Sequence, residues 1–214
     1  NHHVFKNIEG LMSNIVAVTG YLSSKIRADG GDPLRETLNL VPTRDGRSFL
    51  QTEGSEFWRA YVFIEGARTY ESVERMEHVY AAGRAYGSFQ NLLSDFPSEV
   101  LIETIPSFHH TGKRFNDFLN AVDADVANRA HTAVPEIEFV AKRGQLATAL
   151  VDLMSEGRLR RRITHNDTKF NNVMIDDRTG EGLCVIDLDT VMPGLSLYDF
   201  GDSIRSMANT AAED

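Results

Sequence analysis

The chain has 214 residues, 42% hydrophobic and 25% charged, with a formal net charge of −9. This composition predicts a soluble globular protein with a real core and argues against a disordered chain, nucleic acid or an anionic membrane surface as partner. A single Cys184 excludes an internal disulfide, and "NHHVFKNIEG" carries no secretory leader. Together these predict a reducing, cytoplasmic setting.

In chain order, Ile8, Leu11, Met12, Ile15, Val18 and Leu22 recur at helical spacing and predict a helix over 4–26, with Lys6 in its first turn. "RADGGDP" (27–33) is a loop. Residues 36–51 alternate around Asp45-Gly46, a hairpin turn signal, and the aromatic, β-branched run 56–66 predicts a further strand closed by Gly66. Beyond Gly66 the pattern becomes helical: 71–94, 114–122 and 136–156, with Pro135 at a first-turn position and Gly157 as terminator. Residues 172–189 predict a β-hairpin turning at Thr179-Gly180. The whole reads as an α+β chain, a small β-containing lobe over 1–66 and a mostly helical lobe over 67–214.

"ITHNDTKFNNVMID" carries the chemistry. His165-Asn166-Asp167 is followed by Asn172 and then an apolar strand. Phosphoryl transfer needs a carboxylate for the attacking hydroxyl and oxygen ligands for magnesium. A loop of form H-x-D-x-x-x-x-N supplies a carboxylate and an amide oxygen on one turn. A hairpin then returns Asp187 beside Asn172. The alternative metal ligand, Asp199 of the tripeptide Asp199-Phe200-Gly201, follows Pro193-Gly194 with no predicted strand to return it. Asp199 or Asp202 instead suits the capping of a following helical turn. Asp189 is either a ligand of a second magnesium or a turn cap. Lys169 is either a γ-phosphate contact or a solvated charge, and His165 orients the loop. His2 and Phe5 are weaker candidates for lining a sugar pocket.

"HNDTKFNNVMID" followed by "VIDLDT" resembles the phosphotransferase motif of the aminoglycoside phosphotransferase and choline kinase superfamily. "NHHVFKN", "RETLNLVPTRDG", "FWRAYVFIEGARTYE" and "VIDLDTVMPGLSLYDFGDSIR" are most similar to its N-acetylhexosamine 1-kinase branch. The resemblance implies a protein-kinase-like two-lobed fold with ATP and Mg2+ as cofactors. It makes Asp167 the catalytic base, Asn172 and Asp187 the magnesium ligands, and Phe63, Ile64 and Glu65 part of a hinge meeting adenine. The acceptor it implies is a small molecule, an amino sugar. Such kinases carry a Gly-rich loop and a strand-borne Lys before this region and helices after it, neither visible here, so the chain reads as a piece of a longer kinase. Other acceptors within the superfamily are an aminoglycoside, choline or homoserine. Outside it stand a non-catalytic nucleotide-binding module and a metal-dependent phosphoesterase built on His165, Asp167, Asp187 and Asp189.

Overall fold

A computed structural model describes residues 4–54 and 56–208. The chain divides into two compact units, one formed by residues 1–105 with 162–214 and the other by 106–161. The lobe boundary expected at residue 66 falls within the first unit.

The first unit begins with α1 (Ile8–Ala28). Asn7 caps it, its side-chain oxygen accepting the Gly10 amide at 2.8 Å, so Lys6 precedes the helix rather than opening it. Leu11, Met12, Ile15, Val18, Leu22 and Ile26 are its buried stripe. The helix stops because Gly30 adopts φ +81°. This lets the Gly30 amide reach the Arg27 carbonyl (3.2 Å) and the Gly31 amide reach that of Ile26 (2.9 Å). A single turn, α2 (Pro33–Glu36), follows.

Four short strands come next: β1 (Leu40–Val41), β2 (Leu50–Gln51), β3 (Phe57–Trp58) and β4 (Ala60–Tyr61). The turn at Asp45-Gly46 forms, with Thr43 and Arg47 closing it at 2.9 Å. Its flanks do not pair with each other, contrary to the expected hairpin. Instead β2 pairs β3, and β1 pairs β4, both antiparallel. Pro42 has no amide to continue a β1–β2 ladder, which accounts for the difference.

The next elements are β5 (Ala67–Arg68), α3 (Met76–Leu92), β6 (Arg162–Thr164), β7 (Val173–Asp176), β8 (Gly182–Val185), β9 (Met192–Gly194) and α7 (Ser196–Met207). Strands β5, β7 and β8 form one antiparallel sheet in that order. The β7–β8 hairpin is the one expected over 172–189. Strand β9 was not expected, since Pro193-Gly194 reads as a breaker; it pairs antiparallel with β6 in a two-stranded sheet. An edge position tolerates proline. A single core cluster joins α1, α3 and the β7–β8 hairpin through Ile15, Val18, Ala82, Phe89, Val173 and Cys184. Burial pushes the Cys184 thiol up to about 12, so it stays an inert core group.

The second unit holds α4 (Thr111–Ala124), α5 (Val134–Ala141) and α6 (Ala149–Ser155). His110 caps α4, its Nδ1 accepting the Lys113 amide at 3.0 Å. Pro135 does lie in the first turn of α5. The single helix expected over 136–156 is two, broken at Gly144, where an added Cβ would meet the Phe115 ring at 2.6 Å. Together the elements make an α+β protein. Among the described residues no helix is long and apolar enough to cross a membrane.

Candidate active site

The site grows from the mouth of the β7–β8 hairpin. The register Val173↔Val185 places Ile186 opposite Asn172, and the Ile186 amide donates to the Asn172 carbonyl at 2.9 Å. Asp187 is the next residue, in the left-handed region at φ +57°. Asn172 and Asp187 therefore stand side by side where the two strands end. Positive φ is costly for a residue with a Cβ and recurs where function sets the backbone.

The preceding loop is held by side chains and by neighbouring elements. His165 is fully buried between the edges of Tyr86 and Phe89. Its Nε2 lies 2.8 Å from the Ile186 carbonyl, and its Nδ1 lies 3.3 Å from the Asp167 amide. Nε2–H therefore donates while Nδ1 accepts, which fixes the tautomer and leaves no ring nitrogen for a ligand. Asn172 Nδ2 donates to the Asp167 carbonyl (2.9 Å) and more weakly to its Oδ2 (3.3 Å). Lys169 Nζ lies 3.3 Å from Asp167 Oδ1, and Tyr86 donates to the Lys169 carbonyl at 2.7 Å. The half-buried Asp167 carboxylate is thus aimed and charge-balanced while still open to solvent.

Asp199 lies in the first turn of α7 and is 2% exposed. Its Oδ2 accepts the His165 amide (2.9 Å) and Gln90 Nε2 (2.8 Å), and its Oδ1 accepts the Asn166 amide (2.8 Å). The expectation that Asp199 caps the turn after it needs correcting: the amides it takes belong to the loop over 165–166. Asp202 behaves similarly, its Oδ2 at 3.4 Å from Thr168 Oγ1 and its Oδ1 paired to Arg205.

The acids of the 187–190 turn have different surroundings. Among the described residues, Asp187 has no hydrogen-bond or ion-pair partner. It sits at an exposed edge, yet loss of water on its inner side raises its pKa, and Asp189 and Asp167 push the same way. His165 and Arg59 oppose that rise. Asp189 is ion-paired to Arg59. Asn172 Oδ1 accepts no hydrogen bond among the described residues. A carboxylate and an amide oxygen, on residues that the hairpin register brings near each other, are donor types that suit a hard divalent cation. No group of three or more His, Cys, Asp or Glu side chains among the described residues could hold a metal ion, so the phosphoesterase set of His165, Asp167, Asp187 and Asp189 is not assembled.

The segment expected to meet adenine follows β4. Ile64 is buried, and Phe63 and Glu65 are exposed. The Glu65 carbonyl accepts Arg35 Nη2 at 3.1 Å, and the Gly66 carbonyl accepts the Asp177 amide at 2.9 Å. The backbone groups of Phe63 and Ile64 make no backbone hydrogen bond among the described residues. Phe5 is buried in the core, 9% exposed, and so presents no face to a sugar. His2 lies outside the described residues.

Sequence reasoning missed three residues that shape the site: Arg59, Asn166 and Gln90. Asn166 at φ +66° had a readable signal, since asparagine tolerates the left-handed region. Arg59 sits in an aromatic strand run, where a charge usually marks a solvated edge.

The profile of the family described as "APH: Phosphotransferase enzyme family" matches residues 38–214. A solved structure described as "Structure of the microcompartment-associated aminopropanol kinase" aligns with a TM-score of 0.47 at 16% identity. The alignment covers 89% of this chain and 58% of that one, so the chain spans little more than half of that kinase's length.

Proposed function

The chain belongs to the phosphotransferase enzyme family, and from that premise we propose that it carries the catalytic loop of an ATP- and magnesium-dependent small-molecule kinase. The observation behind this is the pairing of Asp167 with Asn172 beside an unpartnered Asp187. Asp167 accepts the proton of the acceptor hydroxyl as its oxygen bonds to the γ-phosphorus and the bond to ADP breaks. The Asn172 side chain holds that carboxylate in place, and Lys169 offers positive charge near the transferring group. Asn172 Oδ1 and Asp187 would hold magnesium, whose chemistry is to neutralise charge on the β- and γ-phosphates. The free backbone groups of Phe63 and Ile64 suit the edge of adenine.

The acceptor we propose is the anomeric hydroxyl of an N-acetylhexosamine, on the resemblance carried by residues 35–46 and 57–71. The lobes would divide near residue 66, with the segment 63–66 as hinge. The test is ADP release over a panel of N-acetylglucosamine, N-acetylgalactosamine, an aminoglycoside, choline, homoserine and an amino alcohol, run with the complete protein and with its Asp167→Asn variant. Acceptor-dependent release from an N-acetylhexosamine, absent in the variant, supports the reading. Release with another acceptor alone replaces the sugar, and no release with any acceptor leaves a nucleotide-binding module.

A further inference from the structure

Asp187 and Asp189 are two residues apart on one turn, yet among the described residues only Asp189 of the two has a counter-ion. Its partner Arg59 lies between β3 and β4, and both side chains are largely covered, with 25% and 21% of their surfaces exposed. Arg59 is not a free surface arginine that has settled on the nearest acid. Its Nη1 is 4.0 Å from Met12 Sδ on α1, and its guanidinium stands 5.4 Å from the Tyr61 ring centre. Leaving Asp189 would break these contacts and strand a half-buried carboxylate, a costly separation.

Charge balance gives this pairing a consequence. A dication held by two carboxylates is neutralised by the protein. Held by Asp187 and the neutral Asn172, it keeps a net positive charge for a polyphosphate. We propose that Arg59 is a positioning residue of the cation site, which holds Asp189 as its own counter-ion and keeps that carboxylate out of the metal's coordination, leaving Asn172 and Asp187 as the protein's donors. This rests on the kinase reading above and sharpens it. It assigns Asp189 to neither of its expected roles, ligand or turn cap. It also ties the cation site to α1 and the β3–β4 strands, so displacement of those elements would release a third oxygen donor.

Manganese alone, with free ion counted by electron paramagnetic resonance, tests this without turnover. The informative variant is the double Arg59→Met/Asp189→Asn, which removes one charge of each sign. It leaves no buried charge unpaired, so it should fold even if a single variant does not. The double should bind Mn2+ within about threefold of the unaltered chain, because no ligand and no net charge has been lost. Arg59→Met alone should bind about five- to tenfold tighter, because it frees Asp189 and removes a competing cation. A double variant weakened about tenfold or more would show that Asp189 is a ligand and overturn the proposal. Unchanged affinity in Arg59→Met would do the same. Asp187→Asn reports on the underlying reading instead. Full Mn2+ binding there would remove Asp187 from the site, whatever Arg59 does.

Discussion

Asp199 reaches back more than thirty residues to accept the amides of both His165 (2.9 Å) and Asn166 (2.8 Å). Asp199 of the tripeptide Asp199-Phe200-Gly201 is therefore a buried brace for the loop that carries Asp167, while Phe200 and Gly201 are exposed. The brace thus engages the amide of a residue, Asn166, whose backbone is left-handed. Removing the brace takes an acceptor from two amides of this loop and from the Gln90 side chain. Asp199→Ala should lower stability by about 3 kcal/mol or more, read by denaturant unfolding. A loss under about 1 kcal/mol would mean the loop holds its own shape.

Asp167→Asn keeps the shape of the side chain and its contact with Asn172 while removing the proton acceptor. In the complete protein, turnover should fall on the order of 10²–10⁴-fold with nucleotide affinity retained. Single-turnover phosphoryl transfer together with nucleotide titration separates the two quantities. A variant within threefold of wild type would remove Asp167 from the chemistry.

The long apolar helix α1, the β7–β8 hairpin and the Asp167–Asn172 spacing were legible because each is encoded locally, by periodicity, by turn residues or by one loop. What escaped the sequence was non-local. Strand β9 exists only because β6 is there to pair with, and Pro193 hides it. The β1–β4 and β2–β3 pairings depend on which strand finds which, information that an Asp-Gly turn alone does not carry. The Arg59–Asp189 pair joins positions 130 apart, and no spacing rule reaches that far. Phe5 reads equally well as a pocket or a core residue until the core is built.

Asp187 carries a raised carboxyl pKa, so the folded state disfavours its ionised form. The sign is that of a group which subtracts stability above its unfolded value of 3.8, with the penalty vanishing as pH falls below it. Asparagine has no ionised form. Asp187→Asn should therefore melt at a higher temperature than wild type at neutral pH, the gap closing in acid, while losing divalent-cation binding. Thermal melts at pH 7 and pH 3 decide this; a lower melting temperature at pH 7 would contradict it.

At the tip of the same hairpin the sign reverses. Asp176 accepts the amides of Thr179 and Arg178, the Thr179 hydroxyl and Arg35 Nη2. These bonds, the Thr179 amide foremost, lower its pKa to about 2 against burial. Its contribution is present above 3.8 and is lost as pH falls through about 2. Asp176→Asn should be less stable at neutral pH and show a flatter acid dependence across that window. Melts taken from pH 5 to pH 2 give the comparison, and parallel curves would count against the assignment.

Two glycines separate the braced loop from its decoy. Gly194 in β9 pairs with Arg162, and a Cβ there would collide with Thr164 Oγ1 and meet Asn166 Oδ1 at 3.0 Å. Thr164 cannot swing aside freely, because its hydroxyl lies 3.0 Å from both the Met192 carbonyl and Asn166 Oδ1. Gly194→Ala should therefore prise β6 from β9, cost about 1–3 kcal/mol and reduce turnover through the displaced loop. Gly201, the glycine of the tripeptide, lies inside α7 with nothing within 4 Å of an added Cβ. Gly201→Ala should stabilise the protein by roughly 0.5–1 kcal/mol by restricting the unfolded chain and leave turnover intact. A metal-binding tripeptide would demand the opposite ranking. Unfolding and kinetics on the two variants side by side therefore test which of the two acidic clusters is structural.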